Sequence, residues 1–318
     1  MFNAKLGTCC IITDGGKLVT KKGVQGIEYP GRANTTIGTL KKATMQNGNT
    51  SYRKLTDKVN DNINALHTCL VTIASGPDYQ KFFRVGSSLL PWFDCEEFLH
   101  FYDDTLRHKI QIKLARCRKV IEENDIRITT HPDQYCIVDS LNPDVRKRSI
   151  LTLKYHKYFM EQLTSPEEGG CINVHLHGKL GSIPEIDEIR NAGLIDWVTF
   201  ENDDKGSGDH DYVLDICKRY GFRYVHDFHH HWCQTGTYFT PESPEFMDIM
   251  NTWPEDQIPK CHISQSASAS NIRKHSDFIN DPKLVQLIRD FSTYVDFAVE
   301  AKAKNIAVKD LYERIISK

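Results

Sequence analysis

The chain has 318 residues, with 40 Lys and Arg against 42 Asp and Glu, and this net charge of −2 excludes a uniformly basic nucleic-acid coat protein. Its 40% hydrophobic and 26% charged residues are typical of a globular protein with a sizeable core. No segment approaches the roughly 18 apolar residues that cross a bilayer, so we expect neither a membrane span nor a secretion signal. Ten cysteines without a CxxC pair exclude a dense disulfide scaffold and a zinc ribbon, and they predict reduced thiols and a cytoplasmic location.

Short apolar segments, rich in β-branched and aromatic residues, predict buried strands. In chain order they cover residues 4–12, 81–88, 126–131, 171–177, 196–202, 223–229, 259–264 and 294–301. Apolar residues at helical spacing predict helices over 54–72, 103–123, 145–163, 212–220 and 304–316. Because about eight strand–helix units fit a chain of this length, the sequence predicts a (β/α)8 TIM barrel, as a single α/β domain over residues 1–318.

The segment 14–50 interrupts this alternation after the first strand. It contains the turn signals DGG, PG and NGN, with lysines and arginines between them. We expect a long loop or a small hairpin, which is either functional or a mobile surface excursion.

Polar side chains stand at or near the carboxyl ends of six predicted strands, namely His131, His175, Glu201, Asp227, His262 and Glu300. In a barrel these ends converge on one mouth. A single histidine at a strand end is more often a satisfied polar group than a ligand. Six such residues at the same ends of their strands instead favour a di- or trinuclear cluster of divalent metal ions.

Other polar residues could extend this site. His230 follows Asp227 by three residues, and we expect it in a loop from which it reaches a second ion. His275 could return over the mouth, and His177 shares the face of His175 as a further ligand or phosphate contact.

Lys260 lies on the same face of its strand as His262, so an ammonium group would approach the expected cations. A neutral amine, or a carboxylated Nζ that acts as an anionic ligand, would relieve the repulsion. An ordinary lysine paired with a carboxylate is the alternative, and spacing alone favours that alternative.

Eight sequence blocks resemble, in order, those of UV damage endonucleases. They are KLGTCC (5–10), FFRVGSSLLP (82–91), THPDQY (130–135), NVHLHGK (173–179), FENDD (200–204), HDFHHH (226–231), KCHISQ (260–265) and FAVEAKAK (297–304). The resemblance implies a TIM barrel related to endonuclease IV and the xylose-isomerase-like barrels. It also implies a DNA repair enzyme that nicks immediately 5′ of cyclobutane pyrimidine dimers and 6-4 photoproducts with divalent ions, commonly manganese, with zinc, magnesium or cobalt as alternatives.

The resemblance also implies roles for individual residues. Gln134 and Tyr135 would be inserted into the duplex opposite the lesion, and Lys260 would be carboxylated on Nζ. Ser88 stands where some members have a histidine, Thr8 stands where a tyrosine is common, and the segment 14–50 has no clear counterpart. The implied metal ligands are His131, His175, Glu201, Asp227, His230, His262, His275 and Glu300.

We expect Glu201, Lys260 and His230 to be catalytic. Glu201 would bridge two ions of a cluster of two or three. One ion would be completed by Asp227, His262 and Glu300, another by His131 and His175, and a third by His230 with His275. The partner would be damaged double-stranded DNA, bound by a monomer without a membrane. Alternatives are an abasic-site endonuclease, a metal-dependent sugar isomerase and a non-catalytic metal-binding protein; HPDQY favours the photoproduct enzyme, and histidines spread over strands argue against sequestration.

Overall fold

Eight parallel strands form the central sheet in the computed structural model, which describes residues 2–13, 27–28, 48–178 and 183–317. Two short antiparallel pairs accompany it, β2 with β3 and β10 with β11. The strands are β1 (Leu6–Cys9), β2 (Ile11–Ile12), β3 (Ile27–Glu28), β4 (Phe82–Val85), β5 (Arg127–Thr130), β6 (Cys171–His175), β7 (Val198–Glu201), β8 (Arg223–Val225), β9 (Lys260–Ile263), β10 (Ser266–Ser268), β11 (Asn271–His275) and β12 (Asp296–Val299).

The sheet order is β8-β7-β6-β5-β4-β1-β12-β9, which places the first strand in the middle and leaves β8 and β9 at the edges. These edges meet just beyond β8. Asp227 forms a parallel bridge with His262, and the His262 amide donates a 2.9 Å hydrogen bond to the His226 carbonyl. The sheet therefore closes almost completely into a barrel, and the TIM-barrel prediction is confirmed.

Helices follow most of the strands and cover the outside of the barrel. Several begin with a side-chain cap: Asp103, for example, accepts from the Leu106 amide, and Asn142 accepts from the Asp144 amide next to Pro143. The described helices are α1 (Gly48–Ala74), α2 (Asp104–Glu123), α3 (Pro143–Met160), α4 (Ile183–Asn191), α5 (His210–Tyr220), α6 (Phe228–Thr235), α7 (Pro244–Met250), α8 (Pro282–Phe291) and α9 (Lys304–Ile316). Among these helices, none combines the length and apolar content that a bilayer crossing needs.

Most side chains inside the barrel are polar, apart from a small cluster of Cys9, Phe82 and Ala298, whereas those outside are apolar. Along β7, Val198 and Phe200 belong to the apolar core, while Thr199 and Glu201 are also buried and are bonded to polar neighbours. At the amino ends of the strands, Arg127 forms a buried ion pair with Asp296. Burying polar groups costs free energy unless they are paired, and in this interior hydrogen bonds and ion pairs offset that cost.

Some boundaries differ from the predictions. The strand predicted to run through residue 229 ends at Val225, and Phe228 begins α6, because the Asp227 side chain caps that helix. Residues 48–50 of the predicted insertion belong to α1, and residues 27–28 pair with β2, while 14–26 and 29–47 lie outside the described residues. All ten cysteines are free thiols and seven of them are buried, which confirms the expectation of unpaired cysteines.

Candidate metal centre

The structure brings the predicted ligands together at the carboxyl ends of the barrel strands. His131 directly follows β5, His175 ends β6 and Glu201 ends β7. The remaining five predicted ligands are Asp227 before α6, His230 in the first turn of α6, His262 in β9, His275 at the end of β11 and Glu300 after β12.

One group of potential ligands consists of His131, His175 and Glu201, whose ligand atoms all lie within 4.8 Å of one another. The two histidines face each other with 3.2 Å between their Nε2 atoms, and His131 Nε2 lies 3.3 Å from Glu201 Oε2. His131 Nδ1 lies 2.8 Å from the Pro132 carbonyl and donates to it. The Nε2 lone pair of His131 is therefore directed at the cluster, as in histidines that bind metals.

The second group consists of Glu201, Asp227 and His262, again within 4.8 Å of one another. His262 Nδ1 lies 3.0 Å from Glu201 Oε1 and 3.9 Å from Asp227 Oδ2. Asp227 Oδ2 and His262 Nε2 are buried and have no hydrogen-bond partner among the described residues. An unsatisfied buried carboxylate oxygen is costly, and a divalent cation between Asp227 Oδ2, Glu201 Oε1 and His262 Nδ1 would satisfy it, so this donor set fits a metal ion.

Glu201 is common to both groups, with Oε2 nearer His131 and Oε1 nearer His262. The Asn173 amide donates to Oε2, and Thr199 holds Asn173 with a 2.9 Å hydrogen bond to its carbonyl oxygen. Burial opposes ionisation of Glu201, but His262 and His175 outweigh it and hold its pKa well below the usual value. A fixed carboxylate with one oxygen toward each group has the geometry of a bridging ligand.

Asn202 positions the neighbouring residues Asp227 and His230, a role that the sequence analysis missed. Its side-chain oxygen accepts from the Asp227 amide at 2.9 Å, and its Nδ2 donates to the Asp227 carbonyl at 3.0 Å. Its own carbonyl lies 2.9 Å from His230 Nδ1. The prediction of a loop at His230 is wrong, because the Asp227 carboxylate accepts from the His230 amide at 2.8 Å and starts a helix there.

Glu300 connects the centre to the hairpin of β10 and β11. Its Oε1 lies 3.5 Å from His262 Nδ1, and its Oε2 lies 3.5 Å from His275 Nδ1. Arg84, a charged residue within the apolar strand β4, also pairs with Glu300. Burial opposes ionisation of Glu300, but Arg84 outweighs it and holds the pKa of this carboxyl well below its usual value. Among the described residues, His230 and His275 complete no third group of three ligands.

Lys260 lies entirely inside the barrel. Among the described residues, its Nζ has neither a hydrogen-bond partner nor an ion pair. Burial lowers the pKa of its amine. Spacing along the sequence favours an ordinary lysine that pairs with a carboxylate. The described residues show no such pair for Lys260.

The two residues predicted to enter the duplex lie on a turn after β5. The Cys136 amide donates to the Asp133 carbonyl at 2.9 Å, so Gln134 and Tyr135 occupy the centre of the turn, and both are exposed. Thr8 is buried within β1, where it offers no surface for stacking. The Ser88 carbonyl accepts from the Asn62 side chain at 2.8 Å.

Metal binding at this centre is predicted to depend on pH through His230. Burial lowers its pKa, but Asp227, Glu201 and the Asn202 carbonyl outweigh burial and raise the pKa to about 9. An imidazolium cannot bind a cation, so binding must release this proton, and apparent metal affinity should rise about tenfold per pH unit up to about pH 9. The same proton stabilises the metal-free fold below the unfolded pKa of about 6.5, and this contribution is lost as pH rises through about 9.

Titration calorimetry of metal binding, in two buffers with different ionisation enthalpies, would count the released protons. The His230→Gln variant should bind metal more weakly and lose this part of the pH slope. An affinity that stays constant from neutral pH to about pH 9 in the wild-type protein would contradict the prediction.

Comparison with known proteins identifies the family of this chain. A profile described as UV-endonuclease UvdE matches residues 28–317. The chain belongs to this endonuclease family. It is 27% identical over 267 residues to the UV DNA damage endonuclease of Halalkalibacterium halodurans, covering 78% of this chain and 80% of that protein. The UV DNA damage endonuclease of Bacillus pumilus is 28% identical over 209 residues, which span 62% of this chain and 64% of that protein.

Solved structures share the fold of this UvdE-family chain. The crystal structure of SacUVDE superposes with a TM-score of 0.68 at 22% identity and covers 98% of this chain and 99% of its own. Endonuclease IV from Thermus thermophilus gives a TM-score of 0.52 at 13% identity and covers 98% of each chain. The predicted relation to the endonuclease IV-like barrels is therefore confirmed at the level of fold.

Proposed function

We propose that this protein is a DNA repair endonuclease that hydrolyses the phosphodiester immediately 5′ of UV photoproducts, using two or three divalent metal ions. The observation that carries the proposal is Glu201, held between two groups of histidines and carboxylates at the mouth of the barrel. Membership of the UvdE family supports the choice of substrate. The protein acts as one domain and a monomer on damaged duplex DNA, and its free thiols suit a reducing intracellular compartment.

The ions would be held by His131 and His175 on one side of Glu201, and by Asp227 and His262 on the other. Glu300, His230 and His275 lie around these groups and would be further ligands. Imidazole and carboxylate donors suit Mn²⁺, and also Zn²⁺, Mg²⁺ or Co²⁺. Such ions supply positive charge to the phosphate and lower the pKa of attacking water.

Residues of the chain orient this chemistry. Asn173 and Thr199 fix Glu201, and Asn202 fixes Asp227 and the ring of His230. His230 Nδ1 donates to the Asn202 carbonyl at 2.9 Å, which leaves Nε2 as the ring atom that would bind an ion. These contacts hold the ligands before substrate arrives, which lowers the cost of reorganisation.

A basic cavity beside Glu300 would take a phosphate next to the scissile one. It has a volume of about 360 Å³ and opens onto the metal centre through His275 and Glu300. Its cations are supplied by Arg84, Arg273, Lys302 and Lys304. The net charge of −2 therefore does not oppose DNA binding, because cations are concentrated where the backbone would lie.

We further propose that Lys260 is carboxylated. The neutral amine attacks CO₂, an N–C bond forms, a proton is released to solvent, and the carbamate gives the buried Nζ an anionic group facing the cations. The support is a completely buried amine without a hydrogen-bond partner among the described residues, within a strand that also carries His262.

The carboxylation predicts a ¹³C signal from a carbamate when the protein is reconstituted with metal and ¹³C-bicarbonate. Lys260→Met should lose that signal and bind metal about tenfold or more weakly, since removal of groups that support ligands typically costs that much. Lys283→Met, a change at an exposed lysine of α8, is the control. A wild-type protein without the signal, and with a bare amine in a high-resolution map, would contradict the modification.

The function is tested with a labelled duplex that carries one photoproduct, incubated with manganese and then with a chelator. We expect a single nick immediately 5′ of the lesion, lost with the chelator and restored by metal. A duplex with one abasic site and an undamaged duplex are the controls. Cleavage of the abasic duplex alone would replace the proposal by an abasic-site endonuclease, and no cleavage of any duplex would reject it.

A further inference from the structure

Two exposed apolar side chains lie in one loop at the mouth of the barrel. Among the large hydrophobic residues of the described chain, the two most exposed are Tyr135 at 80% and Leu141 at 74%, and the next, Ile258, is at 61%. Both belong to the loop 131–142, which begins at His131 and leads into α3. Tyr135 has an expected role in the duplex, whereas Leu141 has none.

The loop is tied to the barrel before Leu141 and to α3 on either side of it. Cys136, Val138 and Asp139 are buried, and Asp139 Oδ2 accepts from the His177 amide at 2.7 Å. The Ser140 carbonyl accepts from Arg146 at 2.9 Å. The contacts of the neighbouring residues therefore position Leu141 with its side chain exposed to solvent.

An exposed leucine gains nothing for folding, since the hydrophobic effect rewards only its burial. Asn142, the next residue, caps α3 by accepting from the Asp144 amide at 2.9 Å, so polar contacts of Ser140 and Asn142 hold the main chain on either side of Leu141. Neither the core nor the cap requires a leucine at this position. Together with Tyr135, Leu141 puts two exposed large apolar side chains in one loop, and grouped exposed apolar side chains are typical of a contact surface.

The surroundings of Leu141 suit nucleic acid. Lys147 and Arg148 follow on the first turns of α3 and are exposed. Lys147 pairs with Glu96 at 3.8 Å, but an ion pair between two exposed groups is weak and leaves the ammonium available. Proteins that bend or open a duplex commonly insert an apolar side chain at a base step, between cations that bind the phosphates.

We propose that Leu141 is a second duplex wedge, which packs against the unstacked base step at the lesion while Gln134 and Tyr135 occupy the gap in the stack. This inference rests on the proposed function and adds a residue that determines lesion specificity. All three side chains belong to the loop that begins at His131 and is tied to the barrel through Asp139, so opening of the duplex and placement of the phosphate at the metal centre would be coupled through one segment.

The test compares Leu141→Ala with Ile112→Ala, a change at an exposed residue of α2, and with Leu141→Met. Affinity for a photoproduct duplex and for the undamaged duplex is measured with metal content and melting temperature. Fluorescence of 2-aminopurine opposite the lesion reports unstacking. Leu141→Ala should bind the photoproduct duplex about five- to tenfold more weakly and show less unstacking, in line with the loss of one apolar contact.

Metal content should remain unchanged in Leu141→Ala, and Leu141→Met and Ile112→Ala should behave as wild type. Provided that the wild-type protein nicks damaged DNA, the wedge role would be overturned if Leu141→Ala lost affinity equally for both duplexes or lost none. If the wild-type protein neither binds nor nicks the photoproduct duplex, the proposed function itself fails, and this result is distinct from the first.

Discussion

Glu201→Gln is expected to lower photoproduct incision about a thousandfold, because it removes the only carboxylate common to both ligand groups of the described residues and with it several kcal/mol of charge stabilisation. The amide keeps the size of the side chain but places a donor NH₂ toward His131 or His262, where a cation should bind. Bound metal should fall by at least one ion per chain. Incision rate and metal content by elemental analysis measure both effects.

Glu168→Gln is the matched control. Glu168 pairs with Arg118 away from the metal centre, so this variant also loses one carboxylate from an ion pair. It should keep its metal and its rate. A Glu201→Gln protein with full metal content and wild-type incision would show that the ions, if bound, do not share this residue.

Tyr135→Ala is expected to reduce preference for photoproduct over undamaged duplex by about 10- to 100-fold, since stacking of a base on an aromatic ring is worth about 1–3 kcal/mol. Its side chain is the most exposed large hydrophobic among the described residues, so little folding energy is lost with it. Binding to both duplexes and incision of the damaged duplex provide the measurement.

Tyr135→Phe keeps the ring and should retain most of the preference, which separates stacking from a role of the hydroxyl group. Metal content should be unchanged in both variants, because Tyr135 lies on an exposed turn and is not one of the ligand-bearing residues. If Tyr135→Ala instead loses its metal or melts at a much lower temperature, the residue is structural and the wedge role is wrong.

Much of the fold could be predicted from sequence, because buried parallel strands leave strong local signals. The predicted segments overlap each of the eight barrel strands, and the differences lie at their ends, as at Val225, where the strand stops short of the predicted 223–229. The error at α6 has a physical cause. The start of α6 depends on one capping side chain, Asp227. In the sequence this short signal for a helix is outweighed by the surrounding aromatic residues, which favour a strand.

Residues that support the candidate site were harder to find. Asn202 and Asn173 bind neighbours 25 and 28 residues away, and the sequence carries no local sign of such pairing. Arg84 is visible in the sequence as a charge within an apolar strand, yet its partner Glu300 is 216 residues distant. Leu141 is one leucine among many until its exposure is known.

The sequence by itself determined which strands end in imidazoles and carboxylates. It also determined that the net charge is −2, so DNA binding would depend on cations concentrated in one region. Residue types and the order of the predicted strands can be read directly from the sequence, because they are local properties. The tertiary structure alone decided that Glu201 is common to both ligand groups, that Lys260 is buried without a hydrogen-bond partner among the described residues and that Leu141 is exposed beside the mouth. These depend on distances between residues remote in sequence, which exist only once the barrel has closed.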